Sequence, residues 1–224
     1  RRQRQMCIRD RLWAADEPDL RMLQQKAAQS RDMEGYVGVC KYLYQTEENP
    51  ELLLLYADSI HQLATKSKKP EQLVEYYIWA SEGNFIKGDF QQGYALKRKA
   101  IALAEKAGLK FAISQSCCDM GYYCNVDARY DSARYYFRKG LEAGEDLSEA
   151  GEACRTMLTN YASSFLFEGK TDSALVYTIR ASERSAADKD TAMLIENLNQ
   201  LGTIYRRKKD LENCIANFEQ ALHL

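Results

Sequence analysis

Hydrophobic positions recur along the chain with the spacing of helices, and no stretch alternates apolar and polar residues over the length of a strand. In the first third, residues 18–30, 32–46, 50–66 and 70–86 each carry such a pattern. Three of these segments open with a proline and an acidic residue, which suits the first turn of a helix. The pattern predicts about ten or eleven antiparallel helices. The helix at 50–66 can pair with the helix before it or after it.

A longer period appears in the small residues. Four of them follow one another at intervals of 40, 41 and 40 residues, and each has a small residue twelve positions before it and seven positions after it. Two helices approach to about 8 Å only where the side chains between them are small. The period therefore predicts repeated hairpins, in which an inner and an outer helix cross at these positions. The twelve residues are Ser81, Gly121, Ala162 and Gly202; Gly93, Ala133, Ala174 and Cys214; and Ala100, Gly140, Ala181 and Ala221.

The last repeat carries a more specific pattern. The stretch LNQLGTIYRRKKDLENCIANFEQAL, residues 198–222, is similar to the tetratricopeptide repeat, with six residues at that motif's matching places: Leu198, Leu201, Gly202, Tyr205, Phe218 and Ala221. That motif recurs about every 34 residues. The longer interval here resembles repeats of bacterial signalling regulators and light-chain-type adaptors. The first clear repeat departs from the motif, with Asn84 and Lys97 where aromatic residues are usual.

The resemblance implies an all-α fold, a right-handed α-solenoid of antiparallel helical hairpins, as one domain over residues 12–224. The clearest repeats are then 70–106, 109–145, 147–185 and 189–224. Residues 1–11, RRQRQMCIRDR, resemble a translated sequencing adapter, and we interpret them as a non-native extension. A solenoid ordinarily closes with a polar capping helix. None is visible before Leu224, so we expect a fragment of a longer protein, with any effector domain beyond it.

Composition and the absence of known motifs argue against several kinds of site and partner. The 31 basic and 32 acidic residues leave no bias towards nucleic acid, and no apolar run approaches the length of a membrane helix. The chain has only two histidines, His61 and His223, and no CxxC pair, so we predict no metal site and no cofactor. The cysteines other than Cys7 fall at helical core positions, which predicts reduced buried thiols and favours a cytoplasmic compartment. Since no HExxH, GxSxG or phosphate-binding loop occurs, we predict that the chain is not an enzyme.

The resemblance also implies a binding surface, because the inner helices of such repeats line a concave groove that receives a peptide. Carried over to this chain, the groove consists of Glu75, Trp79, Asp119, Tyr122, Asn125, Asn160, Asn199 and Arg206. Asparagine both donates and accepts hydrogen bonds, so it suits contact with a peptide backbone. The plainer interpretation is a solvated polar face. For the basic run 206–209, the alternatives are an acidic partner and stabilisation of a helix end.

Two functions follow from these patterns. The preferred one is an interaction or sensor scaffold that binds a peptide or a partner protein, as part of a larger bacterial protein of signal transduction or regulation. The alternative is a structural rod that assembles through its uncapped end, in which case apolar residues of the last helix would carry the contact. The two differ in where substitutions should act.

Overall fold

The computed structural model describes residues 19–47 and 49–224, and within them the chain is all-α, as predicted. The described residues form eleven α-helices joined by short turns and contain no strand. In order these are α1 (Leu20–Ser30), α2 (Met33–Thr46), α3 (Pro50–Ser67), α4 (Pro70–Lys87), α5 (Phe90–Ala107), α6 (Lys110–Val126), α7 (Tyr130–Gly144), α8 (Gly151–Phe167), α9 (Thr171–Ala187), α10 (Thr191–Arg207) and α11 (Leu211–Leu222). The predicted extension at residues 1–11 and the predicted start at Pro18 lie outside the described residues.

The starts of the helices follow the expected chemistry. Pro50 and Pro70 occupy the first turns of α3 and α4, where a missing N–H costs nothing. Asp89 caps α5 by accepting a hydrogen bond from the backbone N–H of Gln92 at 3.0 Å. Asp210 caps α11 in the same way through Asn213, at 3.2 Å.

Two other aspartates near the starts of helices do not act as caps. Asp131 and Asp172 stand inside the first turns of α7 and α9, two positions after the N-cap residue, and neither of these helices has a side-chain cap. Asp131 forms an ion pair with Arg134 in its own helix, and Asp172 forms one with Lys208. Both still place negative charge at the positive end of a helix dipole.

Six of the turns share one conformation. A residue with positive φ ends the helix, and the next residue donates its backbone N–H to the carbonyl five positions earlier, at 2.8–3.0 Å. These bonds satisfy the last carbonyls of each helix. The positive-φ residues are Gly88, Gly108, Ala128, Gly169, Lys189 and Lys209. They recur every 20 residues except across the link from α7 to α8, where a short 3₁₀ helix, Ser148–Ala150, replaces this turn.

The chain divides into two compact units, one ending at Ser116 and the other beginning at Cys117. In the first unit each helix from α1 to α5 packs against the next in sequence, and α2 also touches α4. Helix α3 thus packs against both neighbours, which answers the question of its pairing. The core of this unit is formed by fully buried aliphatic residues such as Val39, Leu43, Leu53, Ile60 and Val74.

In the second unit α7, α8, α9, α10 and α11 pack in the same sequential way, and α8 also touches α10.

All twelve small residues of the repeat, in both units, are buried, so the predicted crossings are confirmed. The glycines show why the crossing residues must be small. A Cβ on Gly121 would lie 2.5 Å from Phe137 Cδ1, and one on Gly202 would lie 2.7 Å from Phe218 Cζ. Each aromatic ring rests directly on the backbone of the facing helix.

One crossing in the first unit differs in chemistry. Lys97 stands four residues after Gly93, at the position that Phe137 and Phe218 hold in later repeats. Its side chain is fully buried and forms an ion pair with Glu82, which is 2% exposed. A buried pair of this kind keeps both charges satisfied but leaves either one costly without the other.

Two remaining predictions concern cysteines and membranes. The six described cysteines are buried, as predicted, and burial raises the pKa of Cys40 far above its ordinary value. Cys7 lies outside the described residues. None of the helices in the described part of the chain is both long and apolar enough to cross a membrane.

Candidate protein-binding surface

A row of polar side chains runs across α6, α8 and α10 of the second unit. Each helix contributes the residue two positions before its small crossing residue and the residue one position after it. Such a pair is three residues apart and therefore lies on one face of the helix. The row consists of Asp119 and Tyr122, Asn160 and Ser163, and Gln200 and Thr203, all partly exposed. We call these six residues the inner-helix row.

Hydrogen bonds between helices hold this row in place. The amide of Gln200 donates from Nε2 to Ser163 Oγ at 2.7 Å, and its Oε1 accepts from Thr178 Oγ1 at 3.1 Å. The Asn125 amide donates from Nδ2 to the backbone carbonyl of Asn160 at 3.0 Å. The side chains of the row thus stand on a fixed backbone, which reduces the entropy lost when a ligand binds.

A second polar layer lies beneath the row. Thr159 Oγ1 bonds to Asn197 Oδ1 at 2.9 Å, and Asn197 Nδ2 donates to Ser185 Oγ at 3.1 Å. All three side chains are buried. Because a buried amide needs its partners, this network fixes the position of α10 against both α8 and α9.

Charged contacts fix the ends of the same helices. Arg155 of α8 donates to Asp188 at 2.8 Å and to Asp190 at 2.9 Å, and so ties α8 to the turn before α10. Arg207 donates from Nη1 to the backbone carbonyl of Leu166 at 2.8 Å, at the C-terminal end of α8. For Arg207 the structure therefore favours stabilisation of a helix end over an acidic partner. The stabilised end belongs to α8 and not to α10, the helix that carries Arg207.

Of the residues predicted from sequence, those in the first unit are mostly covered. Trp79 is 7% exposed, because Tyr44 of α2 packs edge-on against its ring with the ring centres 6.2 Å apart. Its Nε1 donates to Glu75 Oε2 at 2.9 Å. Glu75 is half-buried, and burial raises the pKa of its carboxyl. Placing Trp79 on an open surface was therefore wrong, since the sequence did not reveal that α2 covers α4.

In the second unit the structure separates the predicted residues into two groups. Asp119, Tyr122 and Asn160 belong to the inner-helix row. Asn125 is 7% exposed and contributes its amide to packing instead, so its placement on the surface was also wrong.

Asn199 and Arg206 are exposed but lie off the row. They correspond in the repeat to Thr159 and Leu166 of α8, which are buried where α10 packs. No described helix covers α10 on that side, and this accounts for their exposure. Gln200, which the prediction missed, takes the place of Asn199 in the row. Its sequence position, two residues before Gly202, would have identified Gln200.

The chemistry of the row is that of a binding surface. It offers amide, hydroxyl and phenol groups, which donate and accept hydrogen bonds, and a single carboxylate at Asp119. Within the described part of the chain, no three His, Cys, Asp or Glu side chains are grouped so that they could hold a metal ion. The row can therefore hydrogen-bond a peptide backbone with little demand on its sequence.

Comparison with known proteins defines the fold class and no more. No protein-family model and no curated protein matches the sequence of this chain. Among solved structures, the crystal structure of BtubC (BKLC) from P. vanneervenii is similar to it, with a TM-score of 0.73 at 14% identity. The match covers 91% of this chain and 85% of that one. At this identity the likeness shows a common all-α fold of sequentially stacked helices.

Proposed function

We propose that this chain is a scaffold of the tetratricopeptide-repeat type that binds a peptide or a partner protein along the inner-helix row, within a larger protein of bacterial signalling or regulation. Its role on this view is binding rather than catalysis. The groove runs over α6, α8 and α10, and the six residues of the row are its contacts.

The observation that carries the proposal is the recurrence of polar, partly exposed side chains at two fixed positions in three alternate helices, α6, α8 and α10. The residues beside them, such as Ala162 and Gly202, are buried in helix crossings. The bond from Gln200 to Ser163 links neighbouring helices within the row. A merely solvated face would not need its side chains fixed in this way.

The experiment selects ligands from a library of displayed peptides and then compares variants with the selected peptide. Alanine at Tyr122 or Gln200 should weaken binding by about 1–2 kcal/mol, because aromatic and amide contacts at the centre of an interface contribute most. The control is Tyr135→Ala, a tyrosine of α7 that is 49% exposed and lies outside the row. Equal affinity of all three variants for the selected peptide would refute the proposal.

A second candidate, assembly through the last helix, is favoured by an apolar face on α11. Leu211, Ile215, Phe218 and Leu222 follow one another at helical spacing and are 36–83% exposed. Phe137, the residue equivalent to Phe218 in α7, is fully buried. The face is thus of the kind that another helix covers elsewhere in the same chain.

Sedimentation of the chain over a range of concentrations separates the two candidates. If copies associate through this face, Ile215→Arg should abolish the association. A matched control is Leu55→Arg, because Leu55 of α3 is also exposed, at 61%. Association that survives Ile215→Arg would remove the second candidate and leave the first untouched.

A further inference from the structure

A cleft of about 560 Å³ lies in the first unit between α3 and α5, over the start of α4. Its floor is apolar and aromatic, formed by Leu73, Tyr77 and Leu103, which are half-buried. The volume is of the size that binds a few side chains of a ligand. The cleft does not include any residue of the inner-helix row.

The rim of the cleft is cationic. Lys68, Lys69 and Lys106 line it, and none of its lining residues carries a carboxylate. Lys99 adds a fourth positive charge nearby, with its Nζ 5.9 Å from the centre of the Tyr77 ring. Like charges around a low-dielectric concavity attract anions and repel cations. The chain as a whole is nearly neutral, so this concentration of one sign is local.

The backbone also contributes positive charge to this cleft. Helix α4 begins at Pro70, on the wall of the cleft, and its N-cap residue Lys69 provides no side-chain cap. The first turn of a helix carries partial positive charge and N–H groups that have no partner within the helix. The acid that α4 carries in this turn, Glu71, does not line the cleft. A ligand carboxylate in the cleft would pair with the lysines and would also be favoured by the helix end.

The corresponding cleft in the second unit provides a contrast. It lies between α7 and α9 over α8, has a volume of about 530 Å³, and holds Cys154 where the first cleft holds Leu73. Both residues stand eight positions before their crossing residues, Ser81 and Ala162. Its charged lining is balanced, with Arg138, Arg180 and Arg184 against Glu142, Glu145 and Glu183. The two described clefts thus stand at equivalent places in the repeat, and of these two it is the first that has a cationic lining.

We propose that the cleft between α3 and α5 is a second docking site, which binds an acidic peptide segment by seating an apolar side chain on Leu73, Tyr77 and Leu103 while Lys68, Lys69 and Lys106 hold flanking carboxylates. The site is separate from the inner-helix row. It does not depend on the function proposed for that row.

The probe is a fluorescein-labelled peptide with two leucines between two pairs of glutamates. Its binding to the whole chain is measured by fluorescence anisotropy. The intact protein should bind it about tenfold more tightly than the same peptide with glutamines in place of glutamates. Lys69→Glu combined with Lys106→Glu should remove most of that difference, since both lysines are exposed and the fold does not depend on them. Higher salt should weaken binding of the acidic peptide.

The matched control is Lys189→Glu combined with Lys209→Glu, which makes the same charge change at exposed turn residues of the second unit. It should leave the affinity within about twofold, because neither lysine lines the cleft and exposed charges act over about one Debye length. An equal loss in the control would mean that net charge alone attracts the peptide. No preference for glutamate, or undiminished binding by the double variant of the cleft, would overturn the proposal.

Two further measurements define what is bound. Replacing the leucines of the probe with alanines should weaken binding severalfold, because the apolar floor is then left uncovered. Complete displacement of the probe by an equal concentration of inorganic phosphate would show a general anion site and would contradict the peptide assignment. Tyr122→Ala should bind the probe like the intact protein, so a failure here and a failure of the inner-helix row can be told apart.

Discussion

Replacing glycine with alanine at three positions should have three different effects on stability, because the same added methyl group meets three different neighbours. In a helix interior alanine is favoured over glycine by about 1 kcal/mol. At Gly38 of α2 a Cβ would meet only Leu23 Cδ2, at 4.0 Å, which is ordinary contact. Gly38→Ala should therefore stabilise the protein by roughly 0.5–1 kcal/mol.

At Gly121 the steric term dominates. The added Cβ would lie 2.5 Å from Phe137 Cδ1, whereas carbon atoms pack best at about 3.5–4.0 Å, so the ring must move by about 1 Å. Phe137 is fully buried, and overpacking a core costs about 1–3 kcal/mol. After the gain in helix preference is subtracted, Gly121→Ala should destabilise by about 1–2 kcal/mol. Gly202→Ala should fall between the two, because Phe218 is 36% exposed and can move outward.

The assay is urea unfolding followed by far-ultraviolet circular dichroism, comparing midpoints at constant slope. The double variant Gly121→Ala with Phe137→Leu provides the control. If the clash is the cause, the second change should cost less in the alanine background than in the parent, giving a coupling of about 1 kcal/mol. A Gly121→Ala protein as stable as Gly38→Ala, or a coupling near zero, would refute this account of the helix crossings.

Three further predictions can be tested by the same unfolding measurement. Lys97→Met should destabilise the protein by about 3–5 kcal/mol, because it leaves Glu82 buried without its cation. Adding Glu82→Gln should restore most of the lost stability, and a single variant as stable as the double variant would contradict this. Ala128→Gly should stabilise by about 1 kcal/mol, because Ala128 has φ 56° and only glycine adopts that conformation without cost; an unchanged midpoint would argue against the turn. A hydrogen bond from Arg184 lowers the pKa of Asp188 below its ordinary 3.8, so its contribution to stability is present above that pH and is lost as pH falls through the folded-state value. Arg184→Ala should flatten the pH dependence in that acidic range, and an unchanged profile would show that the bond is not made in solution.

The helices and their crossings could be predicted because both depend on local or strictly periodic information. A proline and an acidic residue mark a helix start by themselves, as at Pro50 and Pro70. A small residue such as Gly202 is required wherever two backbones meet, so the spacing of the repeat carries through to the structure. The aspartates in the first turns of α7 and α9 show the limit of local signals, since they stand two residues past the N-cap position and form ion pairs instead of caps.

The surface was harder to predict because exposure depends on which other helix lies nearby. Trp79 and Asn160 occupy the same position in the repeat, yet only Trp79 is buried, since Tyr44 of another helix packs on it. Nothing in the sequence around Trp79 indicates that contact. Gln200 could have been found from the period alone. Asn199 came instead from carrying over the groove of the repeat family that the chain resembles, and it lies one residue before the position in the row.

The 20-residue spacing of the turns has a consequence for how such a chain can change its length. Each turn completes its hydrogen bonds within six residues, as from Arg129 to Cys124 at 2.8 Å, and so needs nothing from distant segments. A duplicated or deleted stretch of two helices would therefore begin and end in turns that are already closed. The link between α7 and α8, where the period gains one residue, shows that the array accepts a different joint. Gene duplication in steps of one hairpin would thus lengthen or shorten this fold without requiring new turn chemistry.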